Sequence, residues 1–235
     1  MNWILLILAI IGGVLYPVYG ALTAKKTQAY FEAFKDNKAV LYKQIIAFQW
    51  IIVIPILITL WVNELPWKTL GLGFIEEIKW VITLMGSIGL AFWIMQIIPL
   101  PPRMVERLKK QYEQVDFVIP KNKRDFQWMI GLSLTAGFCE EIIYRGLLLD
   151  QLEQVMPTLP GIILANLFFA LGHMGTKLKN MLWSLALGLA WSAIYYFTGS
   201  LWIPIFTHVA IDMWSGTQSY RLSKLEEAEA EEVAE

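Results

Sequence analysis

The sequence predicts an all-α fold, a polytopic transmembrane helical bundle of about seven membrane helices (six to eight) around an interior polar cavity. The first observation is composition: 57% of the 235 residues are hydrophobic and 17% are charged, against about 45–50% and about 25% in soluble domains. The second is a series of apolar runs, several near the roughly 20 residues that cross a bilayer. The third is that three of the later runs contain ionisable side chains, which are costly against lipid and favour a shared interior.

The N-terminal half contains three of these runs. Residues 3–22 are interpreted as a retained helix, because a signal peptide would begin with a basic region and end at a small-residue cleavage site. The charged stretch 25–43 contains aromatic residues and predicts a helix at the membrane interface. The second run, 45–62, contains Pro55 as a predicted kink. The third run, 80–100, ends in a proline cluster that stops a regular helix.

The C-terminal half contains four further runs after a basic connection over 103–127. The fourth run covers 128–149 and contains two adjacent glutamates. The fifth and sixth cover 159–174 and 181–197, and the sixth is rich in small residues that permit close helix packing. The seventh covers 201–214.

Charge distribution predicts how the chain is organised across the membrane. With the N-terminus outside, sixteen of the nineteen lysines and arginines fall in cytoplasmic connections or the cytoplasmic tail. We therefore expect an integral protein of the bacterial inner (plasma) membrane with a cytoplasmic C-terminus. Residues 1–124 form N-terminal transmembrane helices with basic loops, 125–216 form a helical core, and 217–235 form an acidic, disordered tail. All three belong to one membrane domain.

Composition also bears on other classes of function. No basic patch with interleaved aromatic residues is present, so nucleic-acid binding has no support. The single cysteine, Cys139, excludes an internal disulfide and a multi-cysteine metal site. We interpret Cys139 as a helix-packing residue, because apolar surroundings disfavour the reactive thiolate.

The adjacent carboxylates of the fourth run are the first candidates for chemistry. Glu140 and Glu141 project about 100° apart on a helix, so they need not share a role. Glu141 precedes Arg145 by four residues, the spacing of a favourable ion pair. This pairing leaves Glu140, in line with Tyr144, as a candidate general base. The alternative is an ion-paired cluster that only holds helices together.

The two histidines of the chain provide the next candidates. Phe169 and His173 share one helical face, and so do His208 and Asp212. Each histidine alone could be a packing residue with a local hydrogen bond. Because polar groups on three separate apolar runs are costly against lipid, we expect them to converge on one cavity.

Three motifs, E-E-x-x-x-R at residues 140–145, F-x-x-x-H at 169–173 and H-x-x-x-D at 208–212, follow one another over roughly residues 125–215. In this order they resemble the CPBP family, which contains the CAAX prenyl endopeptidases and the bacteriocin-processing or Abi proteins. The resemblance implies a metal-independent intramembrane glutamic endopeptidase without a cofactor.

The resemblance also implies residue roles. Glu140 would be the general base that activates water, and His173 would help to hold that water. His208 would stabilise the oxyanion of the tetrahedral intermediate, together with Asp212. Supporting residues around these four would be Glu141, Tyr144, Arg145 and Phe169.

Asp212 departs from the pattern, because the prenyl-protease branch commonly has asparagine at this position. An ionised carboxylate would repel an oxyanion. Asp212 is therefore either protonated, or it orients the imidazole of His208.

Other functions stay open at the level of sequence. Glu140, His173, His208 and Asp212 are also a plausible zinc ligand set, although no H-E-x-x-H motif is present. A non-catalytic membrane binding or immunity protein could retain the fold, and a proton-coupled transporter is disfavoured because inverted repeats are missing. Besides the lipid bilayer, the expected partner is a peptide or membrane-protein substrate, and the sequence does not determine whether that substrate is prenylated. The sequence does not determine the oligomeric state.

Overall fold

The computed structural model describes residues 2–34, 37–73, 83, 86–87, 89–91, 94, 98–112, 119–173 and 178–234. Within these residues helix is the only regular structure, which confirms the all-α class. The helices are α1 (Trp3–Leu22, π-helical over Ala9–Leu15), α2 (Ala24–Glu32), α3 (Lys38–Val62), α4 (Pro102–Tyr112), α5 (α-helical over Lys123–Glu141 and Leu149–Glu153 and π-helical over Ile142–Leu148), α6 (Thr158–Leu171), α7 (Leu178–Thr198) and α8 (Trp202–Ala234). A 3₁₀ turn covers Trp67–Leu70.

Three helices of the described chain, α1, α3 and α7, are long and apolar enough to cross a membrane. The outward face of α3 is consistent with contact to lipid. Four large apolar side chains, spaced three or four residues apart, are exposed on it instead of buried. These residues are Ile51, Ile54, Ile58 and Trp61. The predicted third run, 80–100, lies mostly outside the described residues, so the count of seven stays a prediction.

Helix α3 begins at Lys38, seven residues before the predicted start at 45. A distant segment stabilises its first turn, because a carboxylate oxygen of Asp125 accepts a hydrogen bond from the Ala39 amide at 3.0 Å. The ammonium group of Lys38 donates to the Ile119 carbonyl oxygen at 2.6 Å. The predicted interfacial stretch 25–43 is therefore divided between α2 and the first turns of α3.

Helix α5 lies at the centre of the bundle and packs against α3 on one side and α8 on the other. Asn122 caps its N-terminus, because the Asn122 side-chain oxygen accepts from the Asp125 amide at 2.9 Å. The helix continues from Lys123 to Glu153, beyond both ends of the predicted run 128–149. Its buried face forms the main hydrophobic core with residues of α1, α3, α6, α7 and α8. These contacts position the polar residues in the middle of α5.

Helix α8 differs most from the sequence prediction. It continues without a break past residue 214, so the expected disordered tail over 217–235 is helical as far as Ala234. Two contacts with α4 explain this result. Leu222 packs into a small apolar cluster with α4 side chains, and Lys109 lies 4.0 Å from a Glu226 oxygen and 3.1 Å from a Glu229 oxygen.

Candidate active site

Glu140 and Glu141 occupy the last two positions of α5 before its π-helical segment. π-helical turns are rare and often mark functional sites. The two carboxylates lie in different surroundings, as their angular separation predicts: the Glu141 side chain is fully buried, whereas the Glu140 side chain is 20% exposed. Only Glu140 is therefore open to a reactant.

Glu141 and Arg145 form the ion pair expected from their spacing. A guanidinium nitrogen of Arg145 lies 3.0 Å from Oε1 of Glu141, and both side chains are buried. Another Arg145 nitrogen donates to Oδ1 of Asn166 at 2.8 Å, and Nε donates to the Ser192 hydroxyl at 3.4 Å. The amide of Asn166 also donates to the Ser192 hydroxyl at 2.8 Å, so the charge lies within a network that joins α5, α6 and α7.

Aromatic rings enclose the same guanidinium. The Arg145 guanidinium carbon lies 4.4 Å from the ring centre of Phe169 and 5.6 Å from that of Trp191. Trp191 stacks on the imidazole of His208 with a centroid distance of 4.2 Å, and Tyr144 meets Phe169 edge-on. These cation–π and ring contacts give the site rigid apolar walls.

Gly188 allows α7 to approach this network closely. A Cβ atom at this position would lie 2.7 Å from Nη2 of Arg145 and would overlap Oδ1 of Asn166. Any side chain here would displace the polar network. The small residues predicted to permit close packing of the sixth run therefore act at a specific contact.

His208 is buried and lies between carboxylates. Its Nδ1 is 2.8 Å from Oε1 of Glu141, and because a carboxylate only accepts, Nδ1 donates the hydrogen. Its Nε2 is 3.9 Å from Oε2 of Glu140 and 3.7 Å from Oδ2 of Asp212. Both distances exceed those of direct hydrogen bonds, so Nε2 faces the space between the two carboxylates.

This geometry changes the role considered for Asp212. The hydrogen bond that orients the imidazole comes from Glu141, on the opposite ring nitrogen from Asp212. The Asp212 side chain is 38% exposed and makes no short contact with His208. The sequence could not distinguish the two acids, because Glu141 and His208 are 67 residues apart.

His173 follows directly after the C-terminus of α6. Its Nδ1 lies 3.0 Å from the carbonyl oxygen of Phe169, which can only accept, so Nδ1 carries the hydrogen and the ring orientation is fixed. The imidazole packs on the Phe169 ring with a centroid distance of 4.9 Å, and the His208 imidazole meets the same ring edge-on at 6.1 Å. The structure therefore brings His173 and His208 to the same aromatic ring.

Sequence reasoning missed a hydrogen-bond partner of Glu140. The side-chain amide of Gln49, in α3, donates to Oε1 of Glu140 at 2.9 Å. It also missed the role of Asn166 beside Arg145. Gln49 and Asn166 are both side-chain amides within long apolar runs. Because such polar groups are costly near lipid, their presence in these runs could have identified them as candidates.

A zinc site would need several of the candidate acids and histidines as ligands. Among the described residues, no three or more histidine, cysteine, aspartate and glutamate side chains are arranged to hold a metal ion. The zinc ligand set that the residue types suggest, Glu140, His173, His208 and Asp212, is therefore not assembled as a metal-binding group among the described side chains.

Comparison with known families identifies the segment that contains these residues. Residues 122–214 match the family model described as type II CAAX prenyl endopeptidase Rce1-like. The chain carries an Rce1-like domain. It includes α5 to the first half of α8, and with them all three motifs.

The match over residues 122–214 confirms the resemblance to the CPBP family and supports a CAAX-protease-like intramembrane endopeptidase in general. Together with the long apolar helices, it supports an integral membrane protein. No curated protein and no solved structure matches the chain. Gln49 lies outside the Rce1-like domain.

Proposed function

We propose that the chain is a metal-independent glutamic endopeptidase that hydrolyses a peptide bond inside the membrane, with Glu140 as the general base. One observation carries this proposal: a partly exposed carboxylate faces a fixed imidazole nitrogen at 3.9 Å, within a buried and otherwise paired polar network. This separation is too long for a direct hydrogen bond and leaves both groups able to act on a reactant.

In the first step, Glu140 removes a proton from a water molecule as the water oxygen attacks the carbonyl carbon of the substrate. The new carbon–oxygen bond forms while the carbonyl π electrons move to the carbonyl oxygen. Gln49 already holds Oε1 of Glu140, and Oε2 is the oxygen that faces His208. The imidazole of His173, fixed through Phe169, would help to hold the water.

His208 would stabilise the negative charge that develops on the carbonyl oxygen. Because Nδ1 donates to Glu141, Nε2 carries a hydrogen only in the imidazolium form. Oxygens of Glu140, Glu141 and Asp212 lie 3.9, 2.8 and 3.7 Å from the ring nitrogens, and their charges favour that form. A preorganised cation in a site shielded from water stabilises an oxyanion far better than one in bulk solvent.

In the last step the intermediate collapses. The carbon–nitrogen bond breaks, the carbonyl double bond re-forms, and Glu140 returns its proton to the leaving amine. The network around Arg145 supplies no proton in this scheme. It holds the helices that carry Glu140, His173 and His208 at fixed positions relative to one another. This matters because small displacements of reacting groups lower the reaction rate strongly.

The surroundings of the site support a substrate that approaches within the bilayer. An apolar groove of about 370 Å³ lies between α3, α5 and α8, the helices that carry Gln49, Glu140 and His208. Its lining residues are Trp50, Leu134, Thr135, Phe138, Trp202, Ile205, Phe206 and Val209. We therefore expect a peptide or membrane-protein substrate. The enzyme would lie in the bacterial inner membrane with its N-terminus outside.

The test is cleavage of a peptide library by the full chain purified in detergent, read by mass spectrometry. Glu140→Gln should lower cleavage by about 10³-fold or more, because general-base catalysis contributes about 10²–10⁴-fold. The matched control is Cys139→Ala, a buried neighbour without a proposed chemical role, which should retain activity. A folded Glu140→Gln protein that cleaves like the wild type overturns the proposal. A wild-type protein that cleaves nothing favours the non-catalytic alternative.

A further inference from the structure

Gln49 is the one side chain from the N-terminal helices with a described hydrogen bond to Glu140. Its Nε2 lies 2.9 Å from Oε1 of Glu140, and Gln49 is only 7% exposed. It belongs to α3 and precedes the Rce1-like domain by 73 residues. Neither the motifs nor the family match assigns it a role.

The orientation of this amide is fixed by chemistry. A carboxylate accepts hydrogen bonds and cannot donate them, so the amide nitrogen must face Glu140. This orientation points the amide oxygen away from Glu140. The Gln49 Oε1 atom is buried and has no hydrogen-bond partner among the described residues.

A buried amide with one unused polar atom is poor for stability. The unpaired oxygen loses its hydrogen bonds to water and gains none in the protein. An apolar side chain of similar length would avoid this loss, but it would also remove the hydrogen bond to Glu140. The presence of glutamine at this position is therefore better explained by what it does to Glu140 than by packing.

Helix α3 is a rigid support for this contact. Its first turn is fixed to the start of α5 through Asp125 and Ala39, and Gln49 contacts α5 again at Glu140. The two contacts occur in the same order along both helices, so α3 and α5 run in the same direction. Gln49 therefore reaches Glu140 from a helix that is held at a second point.

We propose that Gln49 is a positioning residue for catalysis: it binds Oε1 of Glu140 and thereby directs Oε2 towards the water and His208. This inference rests on the proposed function of Glu140 as general base. The direct effect of Gln49 is on the orientation of one carboxylate and not on substrate binding. Its loss should lower kcat and leave KM nearly unchanged.

The test compares Gln49→Met with Gln44→Met in the purified full chain. Gln44 is the matched control, because it lies on the same helix but is exposed and bonded only to Tyr30 among the described contacts. Gln49→Met should lower kcat by about 10–100-fold and change KM by less than about twofold. The melting temperature should stay close to that of the wild type, because the unpaired oxygen is removed together with the hydrogen bond to Glu140. Gln44→Met should match the wild type in all three. A parallel loss of kcat and melting temperature in Gln49→Met indicates a structural role and overturns the inference.

A second measurement does not depend on turnover. Infrared spectra of protein with ¹³C-labelled glutamate locate the Glu140 carboxylate stretch as the band that disappears in Glu140→Gln. This band should shift in Gln49→Met and stay in place in Gln44→Met. An unshifted band overturns the inference even if the enzyme is active. A shifted band in a protein that cleaves no peptide shows that the contact exists and that the proposed function has failed, and the catalytic role of Gln49 fails with it.

Discussion

Oε1 of Glu141 lies 2.8 Å from Nδ1 of His208 and 3.0 Å from a guanidinium nitrogen of Arg145. One carboxylate oxygen therefore connects the imidazole on α8 to the guanidinium on α5. Because all three side chains are buried, water cannot replace either contact. This oxygen and the stacked ring of Trp191 together orient the His208 imidazole.

Replacing Glu141 with glutamine should strongly destabilise the fold. The neutral amide leaves Arg145 without its counter-charge in a buried position, and breaking a buried pair typically costs about 3–5 kcal/mol. Thermal unfolding of the detergent-purified protein measures this loss. Glu140→Gln is the matched comparison and should melt close to the wild type, because Glu140 is partly exposed and the new amide can still accept from Gln49. Equal melting temperatures for the two variants would contradict this account.

Gly137→Ala should reduce both stability and cleavage. A Cβ atom at Gly137 would lie 2.9 Å from the Val209 amide nitrogen and 3.2 Å from the Ile205 carbonyl oxygen, so α8 would have to move away. Overpacking of this kind typically costs about 1–3 kcal/mol, and the same movement displaces His208. Gly131→Ala is the control on the same helix, because its nearest described neighbour is a side-chain atom of Ile46 at 3.6 Å. If both variants behave alike, close approach of α8 is not required.

Asp212→Asn should remain active, within about tenfold of the wild type. Glu141 and not Asp212 orients His208, and an amide can donate to an oxyanion where a carboxylate cannot. Removing His208 itself should cost about 10²–10³-fold, the usual effect of losing one oxyanion donor. The peptide-cleavage assay compares Asp212→Asn with His208→Ala. A folded Asp212→Asn protein as inactive as Glu140→Gln would mean that the carboxylate is essential.

Metal chelation should leave the activity unchanged, because the proposed base and oxyanion donor are side chains of the protein. Purified enzyme is incubated with a strong chelator, dialysed and assayed on the same peptides, with a known zinc protease treated in parallel. Loss of activity that added zinc restores would refute the metal-independent mechanism and favour the zinc-dependent alternative.

Sequence reasoning succeeded where local spacing decides the contact. The four-residue separation of Glu141 and Arg145 predicted their pair, and the spacing of Phe169 and His173 predicted theirs. It could not assign the orientation of His208 to Glu141, because that contact depends on how α5 and α8 cross.

The predicted start of the second apolar run and the predicted disorder of the C-terminal tail differ from the structure for a related reason. The early start of α3 depends on Asp125, which is 86 residues from Ala39. The helical tail depends on Lys109, a basic residue of α4 that lies beside the acidic turns of α8. Both are contacts between distant parts of the chain, and hydrophobic periodicity carries no information about them.

The position of α3 also determines what counts as the functional unit. The family match begins at residue 122, yet a hydrogen-bond partner of Glu140 and much of the apolar cover of α5 come from earlier residues, in α1 and α3. Residue 122 therefore marks where sequence similarity to the family begins, and it is not a structural boundary in the protein. Exchanging only residues 122–214 between relatives would place the general base of one protein beside the α1 and α3 helices of another. Chimaeras should therefore be joined before α1, so that these helices stay with their own α5.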